Sequence, residues 1–205
     1  MTEIIYAAYL WPTNADLIAD VARLGYIKPT DAIIDVTYGN GNWWKDIKIP
    51  GDVNTAKYRV VRDLDWDFRD LPIIDNAYDV VAFDPPYVAK GGRTTSTISA
   101  MDAAYGMDDA PRTPDLVQQQ IFDGLDEIHR VLKPHGIALV KCMNYISSGK
   151  FWLGAHFTLE YALNIGFMCE EILYHTNAGR PQPHKNQVHA RNNLSMLYVL
   201  RKADA

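Results

Sequence analysis

The chain of 205 residues is 48% hydrophobic and 22% charged, which is typical of a single globular domain that is stable without disulfides or structural metals. Its formal net charge of −5 argues against a broadly basic surface that coats nucleic acid, so phosphate contacts would need a local basic patch. Cys142 and Cys169 lack a metal-binding spacing, and the sequence shows neither a signal peptide nor a long apolar run. We therefore expect reduced thiols, a cytoplasmic location and no membrane association.

The first periodic segment, residues 15–24, predicts a helix. Gly25 follows it as a stop, and Asn14 stands just before it, where an N-cap side chain belongs. The apolar positions that recur on one face of this helix are Leu17, Ile18, Val21 and Leu24.

A buried strand is predicted at residues 32–37, and a glycine-containing turn, Tyr38-Gly39-Asn40-Gly41, follows it directly. Two glycines one residue apart let the backbone turn tightly and approach a ligand, as a nucleoside site after a first strand requires. The third glycine of the dinucleotide-binding fingerprint is missing, which disfavours a nicotinamide-dependent oxidoreductase.

Carboxylates follow in positions suited to holding a nucleoside. A short strand is predicted at residues 59–61, and Asp63 or Asp65 after it could accept hydrogen bonds from both ribose hydroxyls. Spacing alone does not separate these two acids, although Asp63 is slightly preferred. Asp70 and Leu71 lie in a second acidic turn, where Asp70 by itself needs no more than a capping role.

The strand-like run at residues 80–83 ends abruptly in Asp84-Pro85-Pro86-Tyr87. Two consecutive prolines stiffen the turn and leave the carbonyl groups of Asp84 and Pro85 without ladder partners. Together with the Asp84 side chain, these oxygens can accept both hydrogens of an amino group, while the Tyr87 ring offers a face for base stacking. Because such acceptors favour a pyramidal nitrogen with a freed lone pair, the turn suits transfer to an aromatic amine.

Asp84-Pro85-Pro86-Tyr87 resembles the catalytic tetrad of the S-adenosylmethionine-dependent DNA amino-methyltransferases, which methylate adenine N6 or cytosine N4. The resemblance implies that Asp84 and Pro85 hold the target amine within a turn that Pro86 completes. It also implies that Tyr87 stacks on a base flipped out of the duplex.

The same resemblance implies S-adenosyl-L-methionine as the cofactor. The residues that match the cofactor-binding motifs of the family are Pro12, Thr13, Asp35, Tyr38, Gly39, Gly41, Asp63, Asp70 and Leu71. Pro12 and Thr13 would pack on the methionine end, and Asp70 would accept the amino group of the cofactor's adenine.

Two long polar loops, residues 88–111 and 176–193, are candidates for contacting DNA, although the first is equally well explained as a flexible surface loop. The basic residues proposed to hold phosphates are Lys90, Arg93, Arg180, Lys185 and Arg191. His184 and His189 have no carboxylate or cysteine nearby, so we predict no metal site.

The second half of the chain alternates helices and strands. Thr113 is the predicted cap of a helix that runs from Pro114 to Leu132. The further elements are a strand at 137–143, a helix at 151–165, and strands at 170–174 and 194–201. Lys141, inside an apolar strand, is interpreted as a lysine that extends its ammonium group into solvent.

These elements and the resemblance predict a single Rossmann-like α/β domain spanning residues 1–205, without a separate target-recognition domain. The sheet is expected to have seven strands, mostly parallel, with one antiparallel strand near the C-terminus. The resemblance implies methylation of DNA, with adenine N6 preferred because in the resembled family Asp in the first place of the tetrad goes more often with adenine. The alternatives are DNA cytosine N4, RNA guanine N2, or a non-catalytic nucleic-acid-binding subunit. Sequence specificity would come from the two loops or from a partner chain, either a second copy in a homodimer or a separate specificity subunit, or it would be slight.

Overall fold

The computed structural model describes residues 11–45, 60–62, 66–89, 113–176, 188–190 and 194–204, with the backbone alone for 60–62. Three helices are described: α1 (Asn14–Arg23), α2 (Pro114–Val131) and α3 (Gly154–Asn164). The strands are β1 (Ile33–Asp35), β2 (Val60–Arg62), β3 (Tyr78–Phe83), β4 (Leu132–Met143), β5 (Tyr145–Ser147), β6 (Lys150–Trp152), β7 (Phe167–Thr176) and β8 (Leu194–Lys202). None of the described helices is both long and apolar enough to cross a membrane.

Six of the described strands form one sheet in the order β2-β1-β3-β4-β8-β7. The first four pair in parallel, whereas β8 is antiparallel to both of its neighbours, β4 and β7. The predicted α/β class and the antiparallel strand near the C-terminus are thus confirmed. The seventh strand stays a prediction.

The sheet separates two hydrophobic clusters, and strand β3 shows how the sequence divides them. Val81 and Phe83 lie in the cluster with residues of α2 and α3, whereas Val80 and Ala82 lie in the cluster with residues of α1. This follows from the period of two in a strand, because successive side chains point to opposite faces. Because β3 is buried on both faces, its register in the sheet is fixed. The position of Asp84, the residue that follows the strand, is therefore fixed as well.

Helix α1 begins one residue earlier than the periodicity suggests, so the predicted N-cap is wrong. The hydroxyl of Thr13 accepts a hydrogen bond from the backbone N–H of Asp16 at 3.1 Å and donates one to its carboxylate at 2.6 Å. Since threonine satisfies the first turn, the Asn14 side chain is left for another partner. Gly25 follows the helix end with a φ of 88°, as expected of a stop.

The segment after β4 differs from its prediction because a hairpin precedes the helix. Strands β5 and β6 pair across Ser148 and Gly149, whose φ angles of 48° and 76° form a tight turn. The predicted helix at 151–165 therefore begins only at Gly154. In a strand of three residues, the alternation of apolar and polar side chains is too short to distinguish the strand from the first residues of a helix.

Candidate active site

Three polar side chains, Asp35, Asp84 and Lys141, lie at the carboxyl ends of adjacent parallel strands. Asp35 is the last residue of β1, and Asp84 follows the last residue of β3. The register pairs Phe83 with Val140, so Asp84 and Lys141 are the next positions along β3 and β4. The carboxyl ends of such strands are where α/β sheets bind ligands.

The Asp84 side chain is 15% exposed, and its two oxygens have different surroundings. The indole N–H of Trp43 donates to Oδ2 at 3.0 Å, and Nζ of Lys141 lies 3.7 Å from the same oxygen. Within the described part of the chain, Oδ1 has no hydrogen-bond donor. One oxygen is therefore held by the protein, and the other can accept a ligand hydrogen.

Lys141 is only 5% exposed, so the prediction that its ammonium group extends into solvent is wrong. Its Nζ donates to Oδ1 of Asn14 at 2.9 Å, which links β4 to the first turn of α1. An ammonium group buried without partners is strongly unfavourable, and here the amide oxygen and the Asp84 carboxylate supply them.

Asp35 is 4% exposed and has both oxygens occupied by donors from the following loop. The indole N–H of Trp44 donates to Oδ2 at 2.7 Å, and the backbone N–H of Thr37 donates to Oδ1 at 3.0 Å. Burial raises the pKa of Asp35 to about 6, and the nearby charge of Asp84 adds to this, although both hydrogen bonds oppose it. In this structure Asp35 thus shapes the loop after β1.

Thr37 joins the loop after β1 to the turn after β3. Its hydroxyl oxygen accepts a hydrogen bond from the backbone N–H of Asp84 at 2.6 Å. The consecutive Trp43 and Trp44, both buried, donate their indole N–H groups to Asp84 and Asp35 respectively. The glycine-containing loop and the Asp-Pro-Pro-Tyr turn are consequently held together as one unit.

The glycine-containing loop requires its glycines for conformation. Gly39 and Gly41 have φ angles of 49° and 65°, a region that residues with a Cβ rarely adopt. A Cβ on Gly41 would also lie 2.7 Å from the hydroxyl oxygen of Tyr38, so any side chain there would displace the tyrosine. Both the positive φ and the packing of the Tyr38 ring therefore require glycine at position 41.

The other predicted site residues are distributed as follows. Pro12 and Thr13 are exposed at the start of α1, with the Thr13 hydroxyl engaged in capping. Asp70 is exposed, whereas Leu71 is buried in the same hydrophobic cluster as Phe83.

Within the tetrad, Pro85 is buried and Pro86 is half-buried. Tyr87 is half-buried as well and packs against the cluster that includes residues of α2. The predicted site residues that lie outside the described part of the chain are Asp63, Asp65, Lys90, Arg93, Arg180, Lys185 and Arg191.

The structure adds residues that the sequence reasoning did not assign to the site: Asn14, Thr37, Trp43, Trp44 and Lys141. Only Lys141 gave a usable signal, because a charged residue inside an apolar strand demands a partner.

No family profile matches the chain, and no curated protein matches it. Among solved structures, TrmN from Thermus thermophilus is similar with a TM-score of 0.50 and 15% identity, over 91% of this chain and 48% of that one. This chain thus spans about half the length of TrmN.

Two further solved structures are similar at lower scores. A provisionally named DNA modification methylase, also from Thermus thermophilus and in complex with S-adenosyl-L-methionine, has a TM-score of 0.46 and 10% identity, over 85% of this chain and 56% of that one. The PvuII cytosine-N4-specific DNA methyltransferase has a TM-score of 0.45 and 15% identity, over 64% and 45%. At such identities the likeness to TrmN establishes the α/β fold, and the activity has to be inferred from the chemistry of the site.

Proposed function

We propose that the chain is an S-adenosyl-L-methionine-dependent methyltransferase that acts on the exocyclic amino group of a nucleobase, most simply adenine N6 in DNA. The observation that carries the proposal is the asymmetry of Asp84. Its Oδ2 is fixed by Trp43 and Lys141, and the described residues leave Oδ1 without a donor. An acceptor oxygen fixed at the end of a strand next to the glycine-containing loop suits the capture of an amine.

The role of Asp84 follows from the electronics of an aromatic amine. The lone pair of such a nitrogen is delocalised into the ring, so the planar amine is a poor nucleophile. When Oδ1 of Asp84 and the backbone carbonyl of Pro85 accept its two hydrogens, the pyramidal form becomes more favourable and the lone pair is freed. Transfer would form the N–C bond as the methyl C–S bond breaks and the sulfonium becomes a neutral thioether. The positive charge would then lie on the nitrogen, where the carboxylate of Asp84 would stabilise it until a proton is lost to water.

The residues around the glycine-containing loop suit the cofactor. S-adenosyl-L-methionine supplies an electrophilic methyl group on a positively charged sulfur. Gly39 and Gly41 would let the backbone approach it, while Asp35 acts indirectly by fixing the loop through Trp44. Asp63 or Asp65 for the ribose, Asp70 and Leu71 for the adenine, and Pro12 and Thr13 for the methionine end remain part of the proposal.

The substrate assignment rests on the resemblance of the tetrad. Tyr87 would stack on the extruded base, and DNA phosphates would be held by the basic residues of the loops at 88–111 and 176–193. Sequence specificity would be contributed by these loops or by a partner chain. The fold by itself does not fix the base, so the choice between adenine and cytosine has to be measured.

The direct test is incubation with methyl-labelled S-adenosyl-L-methionine and separate DNA and RNA pools, followed by digestion to nucleosides. We expect label in N6-methyldeoxyadenosine, and Asp84→Ala should lower transfer by about 10³-fold or more because the amine loses its acceptor. Cofactor binding by this variant should stay within a few-fold of wild type.

A matched control is available on the same strand. Asp79, at the amino end of β3, forms an ion pair with Lys133 at 2.8 Å, and Asp79→Asn should keep its transfer activity. Label in cytosine or in RNA guanine would show that this base, and not adenine, is the substrate. A chain that binds the cofactor and labels no nucleoside would refute the enzymatic proposal and favour a non-catalytic subunit.

A further inference from the structure

Lys141 is the least expected side chain near the proposed catalytic centre. It stands in β4, which is buried along most of its length, and only 5% of the residue is exposed. A lysine that serves to contact a phosphate backbone needs to reach solvent, so burial speaks against a role in binding nucleic acid. Its function has to be sought among the groups that surround it.

Two partners hold the ammonium group of Lys141. Oδ1 of Asn14 accepts its hydrogen bond at 2.9 Å, and Oδ2 of Asp84 lies 3.7 Å away. Asn14 is available because Thr13 caps helix α1 in its place. The asparagine therefore fixes the lysine beside one oxygen of the carboxylate, and the indole N–H of Trp43 holds the same oxygen at 3.0 Å.

Among the residues that the structure describes, Lys141 is the main source of positive charge around Asp84. Asp35 at the end of β1 adds negative potential, and the buried thiol of Cys142 has a raised pKa that keeps it neutral. Burial and, to a smaller extent, the charge of Lys141 lower the pKa of His175 on β7, so this histidine adds no charge near neutral pH. For Asp84 itself, burial raises the pKa, while the charge of Lys141 and the N–H of Trp43 oppose the rise.

We infer that Lys141, held by Asn14, is a positioning residue that keeps Asp84 ionised and turns its second oxygen toward the target amine. This inference rests on the proposed function. A protonated carboxyl group carries an O–H donor, which would oppose the amine hydrogens instead of accepting them. Lys141 therefore sets the lowest pH at which Asp84 can support transfer.

The test compares the pH dependence of kcat for the wild type and Lys141→Met, which removes the charge and keeps a chain of similar length. Because Asp84 loses its neighbouring cation, we expect the acidic limb of the kcat–pH profile to move to higher pH by roughly one unit or more. At alkaline pH, where Asp84 is ionised in both proteins, the difference in rate should shrink to a few-fold. Lys141→Arg should keep the limb near its wild-type position.

A second readout does not require activity. The indole N–H of Trp43 donates to Asp84, so its ¹H–¹⁵N resonance should shift as that carboxylate titrates, and Lys141→Met should raise the midpoint. Lys133→Met is the matched control, because it removes an ion pair at the amino end of β3. It should change neither the titration midpoint of the Trp43 resonance nor the acidic limb of the kcat profile. Thermal unfolding of each variant at each pH establishes that the folded protein is being compared.

Each negative result of these experiments leads to a different conclusion. If Lys141→Met lowers kcat equally at every pH and leaves the Trp43 midpoint in place, the inference is wrong and the lysine is only structural. If it weakens cofactor binding more than about tenfold with an unmoved limb, Lys141 serves the cofactor instead, which also overturns the inference. If the wild-type chain transfers no methyl group while the Trp43 midpoint still moves, the electrostatic coupling exists and the proposed function is what fails.

Discussion

Asp35 and Asp84 show how two carboxylates at neighbouring strand ends acquire different tasks. Asp35 receives two N–H donors, from Trp44 and Thr37, and the described residues place no cation within ion-pairing distance of it. Asp84 receives one N–H donor and the nearby charge of Lys141. The carboxylate with both oxygens occupied is suited to hold the loop, whereas the one with an oxygen to spare is suited to bind substrate.

The environment of Asp35 predicts a particular pH dependence of stability. Its pKa of about 6 in the folded protein exceeds the ordinary value of 3.8, so the folded state binds the proton more tightly. Between about pH 4 and pH 6 the contribution of Asp35 to the free energy of unfolding therefore falls as pH rises, by roughly 3 kcal/mol in all. Urea unfolding across this range measures it.

Asp35→Asn isolates this contribution. The variant should be less stable at low pH, because its amide group cannot satisfy both donors, and it should lack the fall between about pH 4 and pH 6. Carboxylates with lowered pKa values, such as Asp67, Asp79 and Glu127, contribute with the opposite sign and cancel when the two curves are subtracted. A difference curve that is flat with pH would show that Asp35 does not titrate in this way.

At the scale of elements, the site depends on loops that two neighbouring strands hold together. The loop after β1 is fixed at three points: Thr37 to the backbone of Asp84, Trp43 to its side chain and Trp44 to Asp35. The glycine pattern and the strand-end acids could be recognised in the sequence, since each depends on a few adjacent residues. The pairing of Trp43 with Asp84 across 41 positions could not, because nothing local specifies it.

A substitution in this loop separates conformation from ligand binding. Gly41→Ala must adopt a positive φ and push the Tyr38 ring aside, so we expect about 1 kcal/mol lower stability and a cofactor affinity reduced about tenfold or more. Isothermal titration calorimetry with S-adenosylhomocysteine measures the affinity.

Gly25→Ala is the control for Gly41→Ala. Gly25 also has a positive φ, of 88°, and a Cβ there meets no atom within 4 Å. It lies at the end of α1, so this variant should lose similar stability and bind the ligand as the wild type does. If Gly41→Ala and Gly25→Ala bind S-adenosylhomocysteine with equal affinity, the glycine-containing loop is not part of the cofactor site.

For the whole molecule, the parallel strands bring together residues from distant parts of the sequence. Asn14 and Lys141, which are 127 positions apart, form the hydrogen bond that joins α1 to the centre of the sheet. The sequence predicted the fold class and the strand that precedes each acid, because hydrophobic runs and turn residues report on local structure. It did not predict the buried network that connects these acids, since that network exists only after the sheet has formed.

The architecture also offers a competing location for a ligand. An open cavity of about 380 Å³ lies between α2 and α3, and Phe122, Trp152 and Tyr161 are among its lining residues. None of the strand-end residues lines this cavity. A ligand bound there would be separate from Asp84 and from the glycine-containing loop.

We propose that the cofactor and the target amine meet at the carboxyl ends of β1 and β3. A crystal structure with bound S-adenosylhomocysteine tests it most directly. We expect the ligand to lie along Gly39 and Gly41, with its sulfur facing the carboxylate of Asp84. A ligand found in the cavity between α2 and α3, or one whose sulfur points away from Asp84, would contradict the account.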